Sequence, residues 1–137
     1  CEDLKAWLTD DNNTHPLERP AWGLTHMKHP CTIWTNESYD NYVWHWRLGV
    51  ALCHEYTKRY KRQHKAEPVF DWLGKNKPRL MKSKGLTPFA ICMKDEYKIG
   101  TDPVASYRQY YFKDKIRFAK WEPHSITPKW YKEMLNA

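Results

Sequence analysis

The sequence predicts a mainly α-helical fold: one compact domain packed around a long central helix, with long Pro-containing loops. Three observations predict it. Apolar and aromatic residues recur at alternating steps of three and four from Thr35 to about Lys61, the period of one helical stripe. Asp102-Pro103 pairs an N-cap residue with a proline at the first helical position, a helix start. No segment of useful length alternates apolar with polar residues as a half-buried strand does. At 137 residues the chain has the length of a single core, so residues 1–137 are read as one domain.

Taken in order, Glu2 to Leu8 reads as helix, with Leu4, Trp7 and Leu8 at i, i+3 and i+4. The chain opens on Cys1 inside this pattern, so the expectation is that an upstream segment is missing. Asp10, Asp11, Asn12, Asn13 and Thr14 end the helix, and a long loop follows with Pro16, Pro20 and Pro30. Thr35 is the expected N-cap of the central helix, whose stripe is Tyr39, Tyr42, Trp46, Gly49, Cys53, Tyr56 and Tyr60. Val43, Trp44, Leu48, Val50 and Leu52 widen the arc and are expected to be buried. Val69, Phe70, Trp72 and Leu73 predict a short apolar helix ended by Gly74. Leu86 to Ile99 is read as a helical turn or two on the core. From Val104 to about Phe118 a further helix should bury Val104, Tyr107, Tyr111, Phe118 and Ala119, and Thr127-Pro128 starts a last one with Trp130, Tyr131, Met134 and Leu135.

Charge and rings bear on function. Lys plus Arg (23) exceed Asp plus Glu (16), a net charge of +7, and the chain holds 8 Trp and 9 Tyr. Surplus cations favour a polyanionic partner, and surplus rings supply surfaces on which bases stack. The basic groups concentrate in Lys58, Arg59, Lys61, Arg62, His64 and Lys65, then in Lys75, Lys77, Arg79, Lys82 and Lys84. A basic helix end beside a basic loop is the composition of a phosphate clamp, while cations at a helix C-terminus also complement its dipole. No uncharged stretch is long enough to span a bilayer, and the expectation is a soluble, cytoplasmic protein.

Other chemistry is sparsely signalled. Nucleotide-cradling glycine loops, the HExxH zinc pattern and the GxSxG elbow are absent, and no cofactor is expected. Cys1, Cys31, Cys53 and Cys92 contain no CxxC pair and are read as reduced thiols. His26, His29 and Cys31 have metal-ligating atoms at a spacing that matches no closed zinc site, so no metal is expected. His29, Glu55, His64 and Arg108 are the candidate catalytic residues, with an i, i+4 ion pair to Arg59 the simpler reading of Glu55.

An ordered set of motifs resembles a family of small tailed-phage proteins of the kind found in cyanophages: His29-Pro30-Cys31-x-x-Trp34, Asn41-Tyr42-x-Trp44, Glu55-Tyr56-Thr57-x-Arg59-Tyr60, His64-Lys65, Asp102-Pro103-x-x-x-Tyr107-Arg108 and Phe118-Ala119-x-Trp121. The resemblance spans residues 26–131; members of that family carry an upstream helix with a histidine and a glutamate that this chain lacks. The tail Pro128-Lys129-Trp130-Tyr131-Lys132 is similar, more distantly, to that of the pyrimidine-dimer DNA glycosylases. That likeness implies binding of DNA with a base extruded from the stack and read by rings and cations.

Three functions follow. The first is a phage-type protein of the host cytoplasm that binds or processes DNA, in the limit a base-excision enzyme. Lys58, Arg59, Lys61, Arg62, Lys65, Arg108 and Arg117 would contact phosphates, and Trp44, Tyr110 or Trp121 a base. The second is an enzyme acting on a nucleotide or modified base, and the third a protein-interaction module whose rings anchor a partner.

Overall fold

The computed structural model describes residues 26–137. The expected helix Glu2–Leu8, the polar run after it and the loop through Pro16 and Pro20 lie outside the described residues. The rest is mainly helical, as the sequence predicts, and divides into two compact units that meet in sequence between Thr87 and Pro88.

Among the described residues of the first unit, the first helix is one that periodicity did not reveal, α1 (Pro30–Glu37). Pro30, expected in a loop, instead occupies its first turn, where the missing N–H costs nothing, and the His29 ring accepts from Cys31 N at 3.2 Å as the N-cap. Ser38 then breaks the chain with an extended backbone (φ −150°, ψ 146°) and caps the long helix α2 (Tyr39–Tyr60), its Oγ accepting from Asp40 N. The expected cap, Thr35, lies inside α1, where its hydroxyl donates to Cys31 O at 2.6 Å. A hydroxyl of either type satisfies the orphan amides of a helix start, so sequence alone favoured the wrong one of two candidates three residues apart.

From Tyr42 to Cys53 the aromatic stripe is the packed face of α2, whereas Tyr60 at its end is exposed. Tyr42 and Cys53 are buried, and α3 (Glu67–Lys75) lies against them. Tyr42 Oη donates to Leu73 O at 3.0 Å and Trp46 Nε1 to Phe70 O at 2.8 Å. These bonds go to carbonyls within α3, so the rings fix its position as well as fill space. Glycine allows the close approach: a Cβ at Gly49 would overlap Cε1 and Cζ of the Phe70 ring, and one at Gly74 would lie 2.7 Å from Trp46 Cζ2. Gly74 therefore sits within α3 as a packing residue rather than as its terminator.

The wider apolar arc behaves differently. Trp44, Leu48 and Leu52 are 38%, 40% and 61% exposed, and Val43 and Val50 are half-buried. Their apolarity was read as a broader core, whereas the core contacts of α2 run through the Tyr42–Trp46–Gly49–Cys53 stripe.

Across the boundary and into the second unit, the expected helix over Leu86–Ile99 is absent. That stretch is irregular apart from a 3-10 turn, Asp95–Tyr97. Side chains replace a backbone ladder here: Tyr107 Oη accepts from Cys92 N and donates to Ala90 O at 2.8 Å, and Ser106 Oγ accepts from Ile99 N at 2.8 Å. The helix α4 (Pro103–Lys113) starts as predicted, Asp102 Oδ1 accepting from Ala105 N at 3.0 Å, and ends five residues before Phe118. Its expected core face is corrected as well. Val104, Tyr111 and Phe118 are 46%, 45% and 54% exposed, and the fully buried residue of α4 is Ser106. The last helix, α5 (Lys129–Asn136), buries Tyr131 in a ring cluster with Trp121 (4.5 Å between centroids), Trp130 (5.5 Å) and Phe112 (5.9 Å). Among the described residues there is one isolated β-bridge, Ile99 with Asp102, and no helix is long and apolar enough to cross a membrane. Cys31, Cys53 and Cys92 form no disulfide with one another.

Candidate nucleic-acid interface

From Lys58 to Lys84 the chain carries ten lysines and arginines against two carboxylates, Glu67 and Asp71, a net charge of +8 over 27 residues. Nine of the ten cations are exposed; Arg59 is the half-buried one. Two structural devices hold this segment in place.

The first is the end of α2. Lys61 takes a left-handed conformation (φ 55°, ψ 31°), and its N–H donates to Thr57 O at 2.8 Å. This left-handed cap turns the chain sharply, at some cost for a residue with a Cβ. Tyr56 then gathers the following residues: Arg62 Nε donates to Tyr56 Oη at 3.0 Å with the guanidinium 5.7 Å from the ring, and His64 meets the same ring edge-on at 4.7 Å. His64 Nδ1 accepts from Ala66 N at 3.1 Å, just ahead of α3. The bend therefore exposes Lys61, Arg62 and Lys65 on an ordered turn.

The second device anchors the basic loop after α3. Lys77 Nζ lies 5.3 Å over the Trp46 ring at the loop's beginning. At its end Asp40, in the first turn of α2, takes the Ser83 hydroxyl (2.5 Å) and the backbone N–H groups of Gly85 (2.9 Å) and Lys84 (3.2 Å) on one carboxylate oxygen. These bonds, the Ser83 hydroxyl above all, hold the Asp40 carboxyl below the usual carboxylate range against the opposing effect of burial. Beside it, Tyr39 N donates to Lys82 O, and Ser38 Oγ donates to Gly85 O. Asn41 is fully buried and spends its whole amide: Nδ2 donates to Trp34 O (2.8 Å) and Thr87 Oγ1 (2.7 Å), and Oδ1 accepts from Thr87 N (3.0 Å). Gly85 supplies the positive φ (80°) that the turn requires. The loop that carries Lys77, Arg79, Lys82 and Lys84 is thus tied at both ends to α2.

The expected phosphate contacts divide accordingly. Lys58, Lys61, Arg62 and Lys65 are exposed along the end of α2 and the turn after it, whereas Arg59 Nε donates to Glu55 Oε1 at 2.6 Å, the i, i+4 pair. Of the expected rings, Trp44 is 38% exposed and meets Trp34 edge-on at 5.7 Å. In the second unit Arg108 stands 5.6 Å over Trp130, and Arg117 5.4 Å from the Phe118 ring, which also has Lys115 at 5.3 Å. Tyr110 is half-buried against Tyr97 (5.1 Å) with Lys115 Nζ at 4.7 Å, and Trp121 packs on Tyr131. These cations cover ring faces within the unit.

The catalytic candidates are each engaged locally. Glu55 holds Arg59; His29 caps α1; His64 accepts from Ala66 N. Because both imidazoles accept at Nδ1, each carries its proton on Nε2. Arg108 belongs to the second unit, over Trp130. His45, outside the catalytic candidates, is engaged as well. Thr35 spends its proton on Cys31 O, so the 2.6 Å contact between Thr35 Oγ1 and His45 Nδ1 is a bond donated by the ring, and burial pushes the His45 imidazole below its ordinary value.

The latch residues Ser38, Asp40 and Asn41 were missed. The signal available was their polarity at the start of an otherwise aromatic stripe, which argues for buried polar work rather than core. No family model, curated protein or solved structure matches this chain.

Proposed function

We propose that the chain binds DNA through the basic surface of residues 58–84, in the manner of a phage-type DNA-binding or DNA-processing protein. The single observation that carries the reading is nine exposed cations between the last turn of α2 and the end of the loop after α3, a segment fixed to α2 at its turn and at its loop. Phosphate binding draws its affinity from cations that displace condensed counterions, and a fixed array loses less side-chain and loop entropy than a mobile one. Lys58, Lys61, Arg62 and Lys65 form one part of the clamp; Lys75, Lys77, Arg79, Lys82 and Lys84 form the other. Arg59 acts through Glu55 to order the last turns of α2. As a phage-type protein it works in the cytoplasm of the infected host.

Base excision is the more specific form of this reading, supported by the likeness of the tail to the pyrimidine-dimer glycosylases. The burial of Tyr131 among Trp121, Trp130 and Phe112 gives that tail a packing role, so base contact falls to more exposed rings such as Trp44.

Fluorescence anisotropy of a labelled duplex, with and without a pyrimidine dimer, titrated at several salt concentrations, tests both levels. The proposal expects binding to either duplex with a log–log salt slope of about −4 to −6, one unit per phosphate neutralised. Tighter binding to the dimer supports base extrusion, equal binding leaves a clamp without it, and no binding at low salt refutes the proposal.

A further inference from the structure

Between Lys58 and Lys84 two large apolar or aromatic side chains are left in water, Tyr60 (60% exposed) and Leu80 (78% exposed). Each stands among exposed cations: Lys61, Arg62 and Lys65 follow Tyr60, and Arg79 and Lys82 flank Leu80. Tyr60 is braced rather than loose. Its ring leans on that of Tyr56, one turn back, at 4.7 Å between centroids and a tilt of 48°. Tyr56 is itself half-buried and held by the Arg62 bond to its hydroxyl and by the edge-on His64 ring. The Tyr60 ring and the Arg62 guanidinium thus lie 4.7 Å and 5.7 Å from the same Tyr56 ring, which sets a flat aromatic surface beside a fixed positive charge. Leu80 is carried by the loop whose two ends are tied to α2.

A duplex offers such a surface its phosphates and its base edges, while the flat faces of its bases are stacked on one another and out of reach. Unpaired nucleotides offer phosphates and base faces together. Resting on the reading of residues 58–84 as a DNA-binding surface, we propose that its preferred ligand is single-stranded DNA. One base stacks on the exposed face of Tyr60 and another packs on Leu80, while Lys61, Arg62, Arg79 and Lys82 hold the adjoining phosphates. The bracing of Tyr60 lowers the entropy lost when a base stacks on it. Every base has a flat face, so the binding carries little sequence preference.

Anisotropy of a labelled single strand of about 12 nucleotides, set against the duplex of the same length and titrated with the full chain at several salt concentrations, tests this. The single strand is expected to bind more tightly than the duplex. Tyr60→Ala should weaken the single-strand complex about tenfold with its salt slope unchanged, and the duplex complex less than about twofold. Tyr60→Phe keeps the ring and should bind as the unaltered chain does, and Leu80→Ala should act as Tyr60→Ala does by a smaller factor. Both positions are exposed, so thermal unfolding of the variants should match that of the unaltered chain. Tighter binding to the duplex, or a Tyr60→Ala effect that is equal on the two ligands or absent from both, overturns the inference and leaves the DNA-binding reading standing. No binding to either ligand at low salt overturns both.

Discussion

Gly49→Ala is the sharpest test of how α2 meets α3. In an isolated helix the change is favourable by about 1 kcal/mol, because glycine loses more backbone freedom on folding than alanine. Here the added Cβ would overlap three carbons of the Phe70 ring, so the ring must swing outward or the helices must part. Overpacking of this kind costs about 1–3 kcal/mol. The overlap wins, leaving a net loss of about 1 kcal/mol and a fall in Tm of about 3 °C for a chain of this length. Thermal and urea unfolding followed by circular dichroism measures it. The second half of the argument uses Phe70→Ala, which itself destabilises by removing a packed ring. In that background nothing opposes the methyl group, and Gly49→Ala should stabilise by about 1 kcal/mol, a coupling of about 2 kcal/mol between the sites. Stabilisation by Gly49→Ala in the unaltered chain, or simple additivity of the two changes, would refute the reasoning.

Three further outcomes are expected. Burial, with a smaller contribution from Tyr39, pushes Tyr42 up to about 12, so its phenol keeps its proton in the folded chain over a range where the unfolded chain loses it. The stability this contributes is present below pH 10 and lost as pH rises through about 12; Tyr42→Phe should delete a tyrosine transition at about pH 12 in an ultraviolet titration and cost about 1 kcal/mol through the lost bond to Leu73 O. Asp40 shows the opposite sign: its lowered carboxyl contributes above the ordinary carboxylate range and is lost as pH falls through the folded value. Protection of the Lys84 and Gly85 amides, taken relative to the free amide exchange rate at each pH, should accordingly fall on acidification, and Asp40→Ala should show the low protection at neutral pH. For His45, lowered by burial, the NMR titration midpoint should lie below that of an exposed imidazole.

What the sequence made legible were features whose cause is local. Asp102-Pro103 starts α4 because a carboxylate can reach an amide three residues on, and Tyr42, Trp46, Gly49 and Cys53 share a face because of helical pitch alone. Features caused by distant chain were not legible. Ser38, not Thr35, breaks the helix, in part because Gly85, Lys84 and Lys82 bond to Ser38 and Tyr39 more than forty residues away. The apolar run Leu86–Ile99 has the composition of a helix, yet Asn41, Tyr107 and Ser106 supply its backbone with partners and hold it in an irregular path. Of the candidate site, the cations were visible as composition; that their loop is tied to α2 by one carboxylate and one buried amide was not.

The central claim is that a fixed array of cations on residues 58–84 meets phosphates, and the salt slope of duplex binding reads the number of contacts directly. Lys65→Gln, Arg79→Gln and Lys82→Gln together neutralise exposed groups on both the turn and the loop without touching the latch or the core. The account predicts unchanged unfolding, affinity reduced at low salt, and a slope shallower by about 2 to 3 units than that of the unaltered chain. An unchanged slope in a folded triple variant would contradict it.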